Sequence, residues 1–266
     1  MKRTLSFGQI LLAVALICCS FAKVTRAEGV SVPAPIVIEL FTAQGCRSCP
    51  EADAYLTELG SEPDLLILSY HLDHWDYVGW PDPFALEAAK QRQKGYGETF
   101  GLRYVYTPQM VIQGREQVAG SMRDEVEQAI ALARSRGPAL RPLAVTIRDN
   151  PVRGDLAINV GPAVGLEGAL LDSAAEVQVW AIRYHLRTET QITAGENAGM
   201  SVVNSHVVRG LEKLGPTDGP QITYYVNRPE PQEGLAVLVQ ARPTGPILGA
   251  ASITLKELND AETAQR

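Results

Sequence analysis

The chain has 266 residues, 45% hydrophobic and 20% charged, with a formal net charge of −6. That composition belongs to globular proteins and excludes collagen, coiled coils, long disordered tails and multi-span membrane proteins. The acidic balance also argues against nucleic acid as a partner, because phosphate binding needs a basic face.

Lys2 and Arg3 precede an apolar run from Ile10 to Cys19. A bilayer span takes about 20 apolar residues, so this run reads as a signal peptide over residues 1–27. Thr25-Arg-Ala27 places cleavage after Ala27, and Ser20-Phe-Ala22 is a second candidate. An uncleaved anchor is the alternative. The expected location is the periplasm or the medium, with no membrane span in the mature chain. Cleavage removes Lys2, Arg3, Lys23 and Arg26 and no acid, so the mature chain is more acidic still. It also removes Cys18 and Cys19, leaving Cys46 and Cys49 alone in an oxidising compartment. A bridge between them closes a very small loop and stabilises a domain of this size weakly. Such a pair points to chemistry, with an inert local bridge as the plainer alternative.

Residues 28–137 read as one α/β domain. Ile36-Val-Ile-Glu-Leu-Phe41 is a buried strand, and Thr42-Ala-Gln-Gly45 a turn. Cys46-Arg-Ser-Cys49-Pro50 follows, then a helix over Glu51–Leu59 ended by Gly60. The first cysteine therefore stands at a helix N-terminus. Helix N–H groups and Arg47 stabilise a thiolate there, and Cys49 is expected one turn inside and better shielded. Asp53 and Glu58 read as a polar helix face. Leu65–Tyr70 is a second strand, followed by the polar-aromatic loop His71–Trp80. Asp82 is placed to cap a second helix from Pro83 to about Tyr96. Gln109–Gln113 and Glu116–Ala119 are two further strands, and Ser121 caps a last helix over Arg123–Arg134, with Glu125 placed for a capping box.

The element order, the Cys46-x-x-Cys49 pair after strand one and Thr107-Pro108 before strand three resemble the thioredoxin superfamily. That resemblance implies a cis Pro108 facing the cysteine pair, with its neighbour Thr107 pairing with an extended substrate. It also places Glu39 near a buried proton-accepting acid, with one extra residue before the cysteine. Glu39–Cys46, the His71–Trp80 loop, Tyr106-Thr-Pro-Gln and Gly195-Glu-Asn-Ala-Gly199 together resemble the exported bacterial family called domain of unknown function 1223. This likeness implies a thioredoxin-like fold with cysteine chemistry and supplies no reaction partner.

Residues 138–266 read as β-rich. Short strands are expected over 143–147, 155–160, 176–184, 221–226, 235–240 and 247–255, forming a sandwich-like domain or an extension of the first. The segment Glu196–Gly215 reads as a connecting loop with a short helical turn. The alternative is a segment that closes over the active site.

Three functions compete. Thiol–disulfide exchange would use Cys46 as nucleophile and Cys49 to resolve the mixed disulfide, with Pro108, Thr107 and Glu39 in support. It needs no cofactor beyond the Cys46–Cys49 disulfide. Its partners would be a protein or small thiol or disulfide and a separate electron partner. A metal carrier would hold Cu(I) or Zn(II) with Cys46, Cys49, His71 and His74, because the loops after neighbouring parallel strands end at one edge. A binding module would offer Trp75, Tyr77, Trp80 and Tyr106 as an aromatic rim, with Arg47 beside it, to an extended peptide.

Overall fold

The computed structural model describes residues 34–138, 141–162, 176–217 and 221–264. The expected signal peptide and its cleavage site lie outside these residues.

β1 (Ile36–Thr42) is buried along its whole length. Side chains of a strand alternate between faces, and here the two faces meet different partners. Ile36, Ile38 and Leu40 share a core with Ala52, Leu56 and Leu59 of α1 (Cys49–Leu59) and with Val126 and Ile130 of α3 (Arg123–Arg136). Val37 and Phe41 face the other way, into a core with Ala89 and Tyr96 of α2 (Glu87–Thr99). β2 (Leu65–His71) runs parallel to β1 with Ile36 opposite Leu65. β3 (Gln109–Ile112) is antiparallel to β1 on its other side, and β4 (Glu116–Ala119) closes that edge.

The start of α2 and the cap of α3 differ from expectation. α2 begins at Glu87, with Leu86 before it, because the Asp82 carboxylate is committed elsewhere. It accepts from the N–H groups of Gln44 and Phe84 and pairs with His71. α3 begins after Met122 with no side-chain cap, so Ser121 does not serve there.

Beyond residue 138, β5 (Val145–Asn150), β6 (Asp155–Val160) and β9 (Ile222–Asn227) form a three-stranded antiparallel sheet. β7 (Val177–Gln191), β8 (Ser201–Pro216), β10 (Glu233–Ala241) and β11 (Ile247–Thr254) instead extend the first sheet. Its order is β11-β10-β7-β8-β2-β1-β3-β4, and Ser69 opposite Val207 joins the two halves in parallel. The β-rich half thus continues the sheet that β1 begins. Leu156, Ile158 and Val160 of the small sheet share a core with Val179, Val237 and Val239 of the large one, and Leu258 of α4 (Leu255–Ala264) adds to it. No helix among the described residues is long and apolar enough to cross a membrane.

The segment read as a connecting loop is mostly strand. β8 covers Ser201–Pro216 and pairs with β7 as a long antiparallel hairpin. Its alternation is masked in the sequence because His206 takes a positive φ of 50° and the pairing shifts register opposite Arg183 and Tyr184. A strand so interrupted loses its period of two.

Arg92 joins the halves through one buried polar cluster. Its guanidinium meets Glu39 at 2.6 Å and 3.0 Å and Gln240 Oε1 of β10 at 3.0 Å. Tyr96 also donates to Glu39, and Gln240 donates to Tyr96 at 2.9 Å. Burial opposes the Arg92 charge, but Glu39 with Tyr96 and Tyr70 outweighs it and holds the guanidinium's pKa well above its usual value. Replacing Arg92 by Met leaves Glu39 buried without its cation. We expect Arg92→Met to cost about 3–5 kcal/mol in a denaturant titration, and Glu39→Gln added to it to recover part of that loss.

Candidate active site

β1 ends at Thr42, and the chain turns through Ala43, Gln44 and Gly45. The Cys46 N–H bonds the Ala43 carbonyl at 3.1 Å, and the Cys49 N–H bonds the Cys46 carbonyl at 3.2 Å. The two cysteines form a disulfide with Cα atoms 5.4 Å apart, within the ordinary range. Cys49 is the first residue of α1, followed by Pro50 in the first turn, where a missing N–H costs nothing. Cys46 therefore stands in the turn ahead of the helix. Cys49 lies at its first residue, not one turn inside.

Cys46 is 1% exposed and Cys49 fully buried. Their cover comes from two loops. Thr107 and Pro108 are joined by a cis peptide bond, and the Thr107 carbonyl lies 3.9 Å from Cys46 Sγ. Trp75 packs against the cystine and donates from Nε1 to Thr107 Oγ1 at 2.8 Å. A Cβ on Gly45 would lie 3.0 Å from the Trp75 carbonyl, a tight contact that glycine avoids. Tyr77 stacks on Trp75 and is 78% exposed. Tyr106 is half-buried, with its hydroxyl on Gln117 Oε1 at 2.6 Å. Arg47 is exposed.

The remaining expected residues divide. Trp80 donates to Gln44 Oε1 at 3.1 Å, so it braces the turn before Cys46. Glu39 points to the sheet face opposite α1, with both oxygens engaged by Arg92. His71 is buried, with Nδ1 2.8 Å from Asp82 Oδ2. His74 stands in the loop beside Asp73, which pairs with Lys90 at 2.8 Å; burial lowers the His74 pKa. Among the described residues, no group of three or more His, Cys, Asp or Glu side chains stands where it could hold a metal ion.

Two important residues went unread in the sequence. Asp53 belongs to no polar face: it is 3% exposed, and its Oδ1 has no hydrogen-bond partner. It follows Cys49 by four positions, so helix geometry sets both on one side of α1. Burial raises its pKa to about 6, against the opposing pull of His71, Thr42 and Asn204; the Asp82 charge adds to the rise. The i, i+4 spacing from Cys49 was the available signal. Glu58, by contrast, is a true surface residue, paired with Arg123 at 2.7 Å. The second missed residue is Asn197, in the turn between β7 and β8. Its Nδ2 donates to the carbonyls of Gln44 and Cys46 at 2.8 Å and 2.9 Å. It sits in the Gly195–Gly199 stretch, whose paired glycines mark a tight turn.

The site is therefore a buried cystine between a strand end and a helix start, in a mixed α/β protein with one large mixed sheet and a smaller antiparallel one. The chain belongs to the DUF1223 family of proteins of unknown function, whose model matches residues 37–240. It is similar to a crystal structure of the Agrobacterium tumefaciens protein AGR_C_4864, at 27% identity and a TM-score of 0.67, over 84% of this chain and 95% of that one. It also shares its fold with HBP35 of Porphyromonas gingivalis, at 15% identity and a TM-score of 0.57, over 85% of this chain and 77% of that one. No curated protein matches it.

Asp53 gives the site a pH signature. Its folded pKa of about 6 lies above the ordinary carboxylate value of 3.8. Its contribution to stability is therefore complete below about pH 4 and fades as pH rises through about 6. Asp53→Asn removes that dependence. We expect the variant to gain up to a few kcal/mol on the wild type at pH 7.5 and nothing at pH 4, by urea unfolding at both values.

Proposed function

We propose that this protein is an exported thiol–disulfide oxidoreductase with a thioredoxin-like core, and that Cys46 is the sulfur that exchanges. One observation carries the reading: the Cys46–Cys49 cystine abuts both the start of α1 and the Thr107–cis-Pro108 loop. The strand order β2-β1-β3-β4, with β3 alone antiparallel to β1 and helices between, supports the thioredoxin-like core.

The reaction follows from the geometry. A substrate thiolate attacks Cys46 Sγ, the Cys46–Cys49 bond breaks, and Cys49 leaves as a thiolate. Cys49 is fully buried, and a bare charge there is costly. Asp53, one helical turn away with its pKa raised by burial to about 6, can supply its proton at about that pH and below. A second substrate thiolate then attacks the substrate sulfur of the mixed disulfide. The substrate leaves as a disulfide, two electrons pass to the protein, and Cys46 leaves as a thiolate. The helix N-terminus stabilises that thiolate, which favours the reduced form and makes the pair more oxidising. Run in reverse, the same steps reduce a substrate disulfide. The direction follows the potential of the electron partner.

Among the described residues no ligand set converges to support the metal reading, and His71 is already held by Asp82. The exposed Tyr77, beside Trp75, suits a peptide-binding rim that serves the exchange.

Cys46→Ser is expected to abolish insulin reduction, and Cys49→Ser to accumulate mixed disulfides with substrate. Full activity in both variants would overturn the proposal. Trp75 shields the cystine, so Trp75→Ala is expected to speed its reduction by dithiothreitol about tenfold, roughly the effect of removing 1.4 kcal/mol from the barrier. Stopped-flow alkylation measures that rate.

A further inference from the structure

We propose that Asn197, in the turn of the β7–β8 hairpin, is a positioning residue for the cysteine pair and sets its reactivity from the far half of the chain. This rests on the thiol-exchange reading above.

Asn197 lies 151 residues from Cys46, yet its carboxamide nitrogen spends both hydrogens on the cysteine turn, one on the Gln44 carbonyl and one on the Cys46 carbonyl. The residue is 4% exposed, so water does not substitute for it. The turn that carries it is built for this approach. Gly195 has a φ of +74°, and a Cβ there would lie 3.1 Å from Trp80 Cβ. The Asn197 carbonyl accepts from Met200 N–H, and Gly199 N–H donates to Ile192, which closes the turn on itself.

Gln44, two residues before Cys46, completes the clamp. Each of its four polar groups is used. Its N–H meets Asp82, its carbonyl Asn197, its Oε1 Trp80, and its Nε2 Asn204 of β8 at 3.2 Å. Two of those partners, Asn197 and Asn204, come from the β7–β8 hairpin. The hairpin therefore holds both the backbone and the side chain of the residue that aims Cys46.

The chemical consequence has a direction. A carbonyl oxygen carries negative partial charge, and the oxygen of Cys46 itself is close to any thiolate formed there. The Asn197 donors offset that charge at two carbonyls. Without them, the Gln44 carbonyl loses its Asn197 donor, the Cys46 carbonyl keeps only the Cys49 N–H, and the thiolate faces two less compensated oxygens and a looser turn. The thiolate is then less stable and the disulfide relatively more so.

Glutathione redox equilibration tests this on the full mature chain, with the reduced fraction read by alkylation and the Cys46 thiol titrated by its thiolate absorbance. We expect Asn197→Ala to shift the equilibrium about fivefold toward the disulfide, the worth of roughly one net hydrogen bond, and to raise the Cys46 thiol pKa. Asn197→Ser, which keeps one donor, is expected to recover part of both changes. A folded Asn197→Ala protein with wild-type equilibrium and thiol titration overturns the inference while leaving the exchange reading intact. A wild type that does not exchange with glutathione overturns both.

If the variants do not fold, hydrogen exchange on the wild type decides. Linkage is reciprocal: if the Asn197 contacts favour the reduced pair, reduction must strengthen those contacts by the same factor. The amides of Ala198, Gly199 and Met200 should then gain protection on reduction, and equal protection in the two redox states overturns the inference.

Discussion

Arg92 is the point at which the chain is tied together. Its guanidinium, almost wholly out of solvent, reaches from α2 to Glu39 on β1 and to Gln240 on β10. A buried charge is tolerable only where partners surround it, so this position fixes the distance between three elements at once. β1 carries the cysteine turn at its end. Any shift of β1 against α2 would therefore move Cys46 against the loops that cover it. The apolar cores on the two faces of β1 set its depth, and the ion pair restricts its position along that depth.

Neutral amides do the rest of the joining. Gln113 takes the Val37 N–H on its oxygen at 2.9 Å and gives its own N–H to the Ile247 carbonyl at 2.8 Å. Gln240 bonds Tyr96 and the Gly245 carbonyl. Gln44 bonds Trp80 and Asn204. Each of these residues is at most 3% exposed, and each links a segment before residue 138 to another part of the fold. An amide offers donor and acceptor without a charge to desolvate, which suits a joint between strands that meet edge to edge. The continuous eight-stranded sheet depends on such joints as well as on its ladder, since β2 and β8 pair only through Ser69 and Val207.

The sequence made the local features legible and left the long-range ones hidden. β1, β2 and β3 are apolar runs bounded by turn residues, and they lie close to where the pattern put them. The cysteine pair and Thr107-Pro108 announce themselves by residue type. Most of the errors come from a side chain claimed by a partner elsewhere in the fold. Asp82 looks like a helix cap, but His71 and the Gln44 N–H take its carboxylate first, and together with the Phe84 N–H they hold its pKa below the usual range despite burial. Asp53 looks like solvent-facing polarity, because nothing near it in sequence reveals that β8 lies across α1. β8 itself was obscured by the positive φ at His206, which desynchronises the alternation that would have marked a strand. Glu39 looked like a proton acceptor because of its place on β1, yet the alternation of that same strand turns it away from α1.

The burial of the cystine sharpens the functional argument. A structural bridge of so short a span would add little stability, and burial alone gives no reason for two loops and a distant hairpin to converge on it. On the proposed exchange reading, what they share is control over one sulfur. Trp75, tied to Thr107 by a single hydrogen bond, is the cheaper cover to displace, because Tyr77 beside it already faces solvent. The Asn197 side is held by two bonds to backbone carbonyls, those of Gln44 and Cys46. On the proposed exchange reading, a substrate that opens the Trp75 side would meet Cys46 while the opposite wall stays fixed, and exchange would proceed without loss of the turn that aims it.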